Sequence, residues 1–264
     1  MNKSEGLDIS HVKDELIPYF QPVMGKDDHL CGVEVLARWV LPSGEILSPD
    51  CFINPLKHAG LDNLMTEILL EKAAGILVSV RGSLPDMFSV SFNLDAPVHD
   101  HESVIRSCTE FRKTAGSCCN ELICELTERA PWLNDSAGFL DELREEGIKI
   151  ALDDFGTGFS TLSLLEETEA NYIKLDRHFI SNISYDPSSW KMAECVIFIA
   201  KKYSTKIIAE GVETALQSDW LRSRGVDLQQ GYYFSPPVDA DMFIRHFING
   251  KYCINRHERD VVLV

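Results

Sequence analysis

Apolar and polar positions along the chain follow two periods. Short runs with a period near two, or nearly unbroken apolar runs, occur at Leu16–Val23, Leu30–Trp39, Phe88–Leu94, Glu121–Thr127, Ile148–Leu152, Tyr172–Leu175, Lys206–Ala209 and Val226–Gln230. Runs of this kind predict strands. Between them the apolar residues recur three and four apart, as at Leu64, Ile68, Leu69 and Ala73. That spacing predicts helices over 49–58, 62–80, 101–113, 136–146, from Ser160 onward, and over 190–203, 214–224 and 240–248. Local chemistry punctuates the pattern. Ser48-Pro49-Asp50 suits a helix start, Pro42-Ser43-Gly44 a turn, and Gly147 the left-handed residue after a helix.

Strand, loop and helix repeat without a linker, which predicts one parallel-stranded α/β domain. About eight strands in 264 residues favour a (β/α)8 TIM-like barrel over an open doubly wound sheet. No G-x-G-x-x-G follows an early strand, which weakens a dinucleotide-binding reading. The first two strands are joined by the turn at Asp27-Asp28, with no helix between, so one antiparallel strand is expected at the start. The barrel is assigned to residues 16–250. Residues 1–15 form a polar N-terminal segment, frayed or loosely helical, and the tail 251–264 fits no element.

The predicted strand ends carry the candidate chemistry. Asn93, Glu125, Asp153, Lys174 and Glu210 each lie at or near the C-terminal end of a different strand, and in a barrel those ends share the face that bears active sites. Glu34 lies inside the second strand and is the expected sixth contributor. Taken alone, a strand carboxylate faces solvent; one that faces a barrel interior needs a partner. Asp153 and Asp154 are adjacent and repel, so their desolvation calls for cations nearby. The set consists of oxygen donors and one ammonium, without histidine or thiolate. That composition suits Mg²⁺ or Mn²⁺ better than zinc or copper. Carboxylates this numerous can hold two cations, an arrangement suited to phosphodiester hydrolysis. Lys174 would orient or deprotonate the attacking water, or stabilise the phosphate.

Bulk composition narrows the field. A net charge of −16 argues against a nucleic-acid-binding surface, though not against an anionic small ligand, because bound cations reverse the local sign. The eight cysteines show no C-x-x-C spacing and read as reduced thiols of a cytoplasmic protein. No apolar run reaches the roughly 18–20 residues of a membrane span, and MNKSEGLDIS lacks the core of a signal peptide.

Seven ordered motifs resemble the EAL domain family of cyclic di-GMP phosphodiesterases. They are Glu34-Val35-Leu36 within EVLARW, FNL at Asn93, Glu125-Leu126-Thr127-Glu128, DDFGTGFS from Asp153 to Ser160, IKLD ending at Asp176, AEGVET from Ala209, and QGYYFSPP from Gln230 to Pro237. The resemblance implies that Glu34, Asn93, Glu125 and Asp153 bind a first metal, and that Asp153, Asp154 and Glu210 serve a second. It implies a catalytic role for Lys174 with Glu210 and Gln230. It places substrate contacts at Gln21, Leu36, Arg38, Asn93, Asp176, Glu213, Gln230 and Pro236. A regulatory loop would comprise Asp154, Phe155, Gly156, Thr157, Gly158, Phe159 and Ser160, latched by Glu128. The implied reaction is Mg²⁺- or Mn²⁺-dependent hydrolysis of cyclic di-GMP to linear pGpG by a homodimer, formed through the region after Asp154 and the helix after Lys174. Departures from the family pattern are Val35 for alanine, Phe159 for tyrosine and Asp95 for serine; none removes a ligand.

Other readings stay open beside this one. Arg38 is also consistent with a barrel-mouth ion pair, Glu213 with a helix-terminal acid stabilised by the dipole, and Tyr232-Tyr233-Phe234 with barrel packing in preference to a base-stacking platform. A catalytically silent cyclic di-GMP receptor or interaction module, with a protein partner in trans, is the alternative function. A glycosidase using paired carboxylates is a third, but it needs neither the metal set nor the lysine. No sensor, cyclase or receiver segment is expected within these residues, which suggests a stand-alone domain.

Overall fold

The computed structural model describes residues 9–94, 98, 100–127, 137–156, 161–181, 183, 187–226 and 228–250. Nine strands are present among them: β1 (Leu16–Met24), β2 (Leu30–Val40), β3 (Ile46–Leu47), β4 (Ser89–Leu94), β5 (Glu121–Thr127), β6 (Lys149–Phe155), β7 (Tyr172–Leu175), β8 (Lys206–Ala209) and β9 (Leu228–Gln229). The order β1-β9-β8-β7-β6-β5-β4-β2, with an added β1–β2 pairing, closes eight of them into a barrel. β1 runs antiparallel to both β2 and β9, and the remaining barrel pairs are parallel. The barrel with one antiparallel strand is therefore as the alternation and the missing first helix predict. β3 was not legible: two residues after the Pro42-Ser43-Gly44 turn pair back onto the end of β2, at Trp39↔Leu47 and Val40↔Ile46.

Helices pack outside the barrel because the outward face of each strand is apolar. Val33, Val35, Val90, Phe92, Cys124, Leu152, Ile173 and Leu175 join one continuous core with the helix residues Leu70, Ala73, Leu77, Val104, Phe111, Leu143 and Ile197. The helices Pro49–His58, Asp62–Ser79, His101–Ala115, Ala137–Glu145, Thr161–Thr168, Pro187–Lys202 and Ala215–Ser223 follow the predicted positions within a few residues. Gly147 takes φ 73°, as its place after a helix requires. Thr214 caps its helix with a full capping box, exchanging bonds with Gln217. The chain also forms a short helix, Arg177–Ile180, that four residues are too few to announce by periodicity. The last predicted helix is split into an α segment, Ala240–Phe243, and a π segment, Ile244–Ile248.

The described part of the N-terminal segment packs against one end of the barrel. Val12 is buried, and Glu15 accepts a 2.7 Å bond from the Trp39 indole. Lys72 reaches across to donate to the carbonyls of Lys13 and Leu16. No described helix is long and apolar enough to cross a membrane.

Candidate functional site

Inside a barrel, residues two apart on a strand share the interior face, so each strand contributes one side chain to each successive layer. Toward the N-terminal ends of the parallel strands the interior holds Val23, Ile123, Ala151, Tyr172 and Ile208, packed with Leu228 as a cluster separate from the helix-facing core. Two residues along, at the opposite end, the same strands deliver Gln21, Glu125, Asp153, Lys174, Glu210 and Gln230; β2 and β4 add Glu34 and Asn93. These polar residues, apart from the deeper Glu125, line an open cavity of about 410 Å³ together with Leu36, Arg177, Gly211, Glu213, Gly231 and Tyr232. A packed apolar floor therefore lies beneath a polar cavity.

Lys174 is the centre of the cavity floor. Its side chain is 2% exposed, and its Nζ lies 2.5 Å from Glu125 and Glu210, 3.5 Å from Glu34 and 3.6 Å from Asp153. Burial alone would lower its pKa, but the four carboxylates outweigh that and raise it well above the ordinary lysine value. Glu34 is fixed on both oxygens: Asn93 Nδ2 donates to one at 2.6 Å and Gln230 Nε2 to the other at 2.5 Å. Gln230 also donates to Gln21 at 2.9 Å, and Gln21 donates to the Ser235 carbonyl at 3.2 Å. Glu34 thus faces inward with partners, the alternative that an isolated strand carboxylate leaves open. Burial would raise its pKa, yet Lys174 and the amides of Gln230 and Asn93 bring it below the usual carboxylate value. One ammonium does not balance four carboxylates, and the excess appears elsewhere. Burial, followed by repulsion from Glu34, pushes Glu125 well up, and burial raises Glu210 to about 8 despite Lys174.

Asp153 and Asp154 are part of β6 rather than beyond it. The strand continues to Phe155 through an irregularity between Leu152 and Phe155. The extra residues fit because Asp154 takes φ 55° and donates its backbone N–H to Asp153 Oδ1 at 2.9 Å. This left-handed conformation, tolerated by aspartate, points consecutive side chains in different directions. It also separates the register of Asp153 from that of Asp154.

The donor chemistry fits a hard divalent cation. Glu34, Asn93, Glu125, Asp153, Asp154 and Glu210 offer only oxygen ligands. Glu125 Oε1 is buried without a hydrogen-bond partner, the kind of atom a cation would satisfy. The carboxylates converge on Lys174 rather than on one another, and no group of three or more His, Cys, Asp or Glu among the described residues forms a ready cage.

The remaining expected contacts are scattered. Leu36 lines the cavity. Glu213 also lines it and pairs with Arg177 at 2.8 Å, while its N–H is accepted by Gln217. Arg38 lies over the Tyr19 ring at 5.4 Å and donates to the Ala37 carbonyl, outside the cavity lining. Asp176 caps the helix Arg177–Ile180 by accepting from the His178 N–H at 2.8 Å. Pro236 follows the turn whose Ser235 carbonyl holds Gln21. Of the expected loop, Phe155 is buried and Gly156 has φ 96°; Glu128, Thr157, Gly158, Phe159 and Ser160 lie outside the described residues. The reading of Tyr232-Tyr233-Phe234 as packing holds for two of the three. Tyr233 and Phe234 are buried, whereas Tyr232 is exposed and lines the cavity. Arg177 was also missed. An arginine just past a strand end carries no signal until the short helix places it at the mouth.

Comparisons with known proteins agree with this architecture. The EAL domain profile matches residues 7–237. The probable cyclic di-GMP phosphodiesterase PdeG of Escherichia coli (strain K12) is 39% identical over 227 residues, covering 85% of this chain and 45% of PdeG. Cyclic di-GMP phosphodiesterase PdeL of the same organism is 34% identical over 247 residues, covering 92% of this chain and 68% of PdeL. The chain thus spans about half the length of PdeG and two thirds of PdeL. The solved EAL enzyme Bd1971, in its cAMP- and cyclic-di-GMP-bound form, superposes with a TM-score of 0.79 at 27% identity, covering 89% of this chain and 65% of that one. The PaMucR phosphodiesterase in complex with c-di-GMP gives 0.76 at 26% identity, covering 89% and 96%. On the profile, the relatives and the closed barrel with its antiparallel first strand, the chain belongs to the EAL domain family.

Proposed function

We propose that this chain is a phosphodiesterase that hydrolyses one phosphodiester bond of cyclic di-GMP to give linear pGpG. The observation that carries the reading is the convergence of Glu34, Glu125, Asp153 and Glu210 on Lys174, at the floor of a cavity large enough to admit a phosphodiester. Relatives named as cyclic di-GMP phosphodiesterases supply the substrate.

Mg²⁺ or Mn²⁺, two per site, would be held by Glu34, Asn93, Glu125, Asp153, Asp154 and Glu210, and would supply charge neutralisation and an acidified water. The protein's own groups do the rest. Asn93 and Gln230 lock Glu34 in one orientation, and Gln21 holds Gln230 in place. Lys174 places a single positive charge beneath the phosphodiester, where it orients the water or steadies charge on the phosphoryl oxygens. Water adds to phosphorus and gives up a proton, the P–O3′ bond breaks, and the departing 3′ oxygen takes up a proton. Leu36, Asn93, Glu213 and Gln230 would contact substrate, and Arg38, Asp176 and Pro236 would join them from the rim. Glu128 would latch the loop that follows Asp154.

A second copy is the proposed partner. The helix Pro187–Lys202 shows Met192, Cys195 and Phe198 on one outward stripe, with Met192 53% and Phe198 61% exposed. Leu162, 51% exposed, lies on the helix that follows Asp154. Exposed apolar side chains of this kind are what an interface would cover.

The test is turnover of cyclic di-GMP by purified protein with Mn²⁺, with product identification and chelation. Linear pGpG that disappears with EDTA is expected, and Glu34→Ala should abolish it while the fold persists by circular dichroism. Binding without hydrolysis in folded, metal-loaded protein would instead establish the silent receptor.

A further inference from the structure

Leu36 and Arg38, two of the proposed substrate contacts, stand on a stretch of β2 that the barrel itself does not hold. Gln21 and Glu34 face each other in the β1–β2 register, and the pairing runs on for five more residue pairs, from Phe20↔Val35 to Leu16↔Trp39. β4 accompanies β2 only from Gly32 to Val35. Past that point, among the described residues, β2 is paired with β1 and, at Trp39 and Val40, with the two-residue β3; β1 has one further bridge, from Phe20 to Val238. A two-stranded ribbon is marginally stable by itself. Its orientation is set by whatever side chains tie it to the rest of the domain.

Two such ties meet at the far end of the ribbon, and neither belongs to the cavity. Val12–Glu15 form one helical turn that leads directly into β1. A single turn is too short to hold itself, and its last carbonyls find no partner within it. Lys72, half-buried on the helix Asp62–Ser79, supplies one. Its ammonium donates to the carbonyls of Lys13 and Leu16 at 2.7 Å each and to that of Asp14 at 3.4 Å. An ammonium has three N–H donors, which match these three acceptors. Leu16 is the first residue of β1 and stands opposite Trp39, so its bond to Lys72 pins the ribbon's end to the helix layer. The second tie is Glu15, which accepts the Trp39 indole N–H at 2.7 Å. Trp39 is fully buried and tilts against Phe52 at 5.5 Å. Arg38 is its immediate neighbour, and Leu36 lies three residues back along the same strand.

We propose that Lys72 and Glu15 are positioning residues, which together brace the outer β1–β2 ribbon and so hold Leu36 and Arg38 in place for the substrate. The brace acts on affinity rather than on the chemical step. Glu125, Asp153 and Lys174 stand on strands that are paired on both sides, and they keep their geometry when the ribbon loosens. Glu34 lies within the stretch of β2 that β4 still accompanies. This role rests on cyclic di-GMP being the substrate.

The experiment compares the parent protein with Lys72→Met, which keeps the aliphatic stem, and with Glu15→Ala. KM and kcat for cyclic di-GMP, the Mn²⁺ concentration giving half-maximal rate, and amide hydrogen exchange are measured on each. The expected result is that either variant raises KM about fivefold, the scale of one or two lost hydrogen bonds, with kcat and the Mn²⁺ dependence near parental. Exchange should quicken in residues 16–20 and 35–40 while residues 121–127 stay protected, since local opening follows local support. Parental KM in both variants overturns the brace. So does faster exchange throughout the barrel with kcat falling alongside KM, which is the signature of lost stability alone. If the parent protein turns over no cyclic di-GMP, the phosphodiesterase reading fails separately and the brace is judged on Kd by calorimetry with EDTA. Weaker binding by the variants, with exchange quickened only in the ribbon, then supports it. Parental binding by the variants, or no binding by the parent, overturns it.

Discussion

The two interior layers of the barrel are built by the same strands with the same alternation, yet they behave as opposites. One holds Val23, Ile123, Ala151, Tyr172 and Ile208; the other, two residues along, holds Gln21, Glu125, Asp153, Lys174 and Glu210. The apolar layer buries its side chains at a net gain. The polar layer buries charge, which is tolerated only because each acid finds an ammonium, an amide or a proton. The floor therefore holds the barrel closed, and the layer above it is strained electrostatically in a way that cations or an anionic ligand can relieve. A site of this kind can be loosened without unfolding the domain, because the layer beneath supplies the rigidity.

Removing Lys174 is the strongest way to break the contrast. Lys174→Met should cost about 10²- to 10³-fold in cyclic di-GMP turnover, the loss typical for a group facing transition-state charge. In EDTA it should also lower the melting temperature, since four carboxylates lose their shared partner. Retention of parental turnover would remove Lys174 from the chemistry. The opposite variant acts on the floor. Ile208→Ala should lower stability by about 2–5 kcal/mol in urea titration, as buried truncations do, while the dependence of turnover on Mn²⁺ concentration stays near parental at temperatures where the protein is folded. A changed metal dependence would show that the two layers are not separable.

A third test uses pH on the chelated protein. Glu210 is raised from 4.5 to about 8, chiefly by burial, so the folded state binds more protons than the unfolded state between those values. Its contribution to stability is full below about 4.5 and is lost progressively as pH rises toward about 8. Glu210→Gln should flatten that decline in thermal melts with EDTA; an unchanged slope would show that Glu210 is not the group responsible. The smallest effect is expected at the closed end. There the Tyr172 hydroxyl donates to Glu121 and accepts from Lys206 at 3.1 Å. Tyr172→Phe should cost about 1 kcal/mol of stability and leave KM unaltered.

The chain order of elements, the barrel and the identity of nearly every acid in the site were legible in the sequence. Strand and helix periods are local, and glycine, proline and capping residues mark their ends. Strand-end positions then follow from the fold class, so Asn93, Glu125, Asp153, Lys174 and Glu210 could be assembled before any contact was known. What remained hidden depended on few residues or on distant ones. β3 is two residues long and the helix Arg177–Ile180 is four, too short for a period to register. The bulge that places Asp153 and Asp154 within β6 depends on the neighbouring strand β7. Whether Glu34 faced water or the interior depended on Asn93 and Gln230, 59 and 196 residues away. The exposure of Tyr232 beside two buried aromatics, and the seating of Arg177 on Gly211, were likewise decided only when β8 paired with β7 and β9 and β9 closed against β1. Periodicity determines which face a residue takes relative to its neighbours. Closure of the barrel decides what stands opposite that face, and the electrostatics of this site are set by what stands opposite.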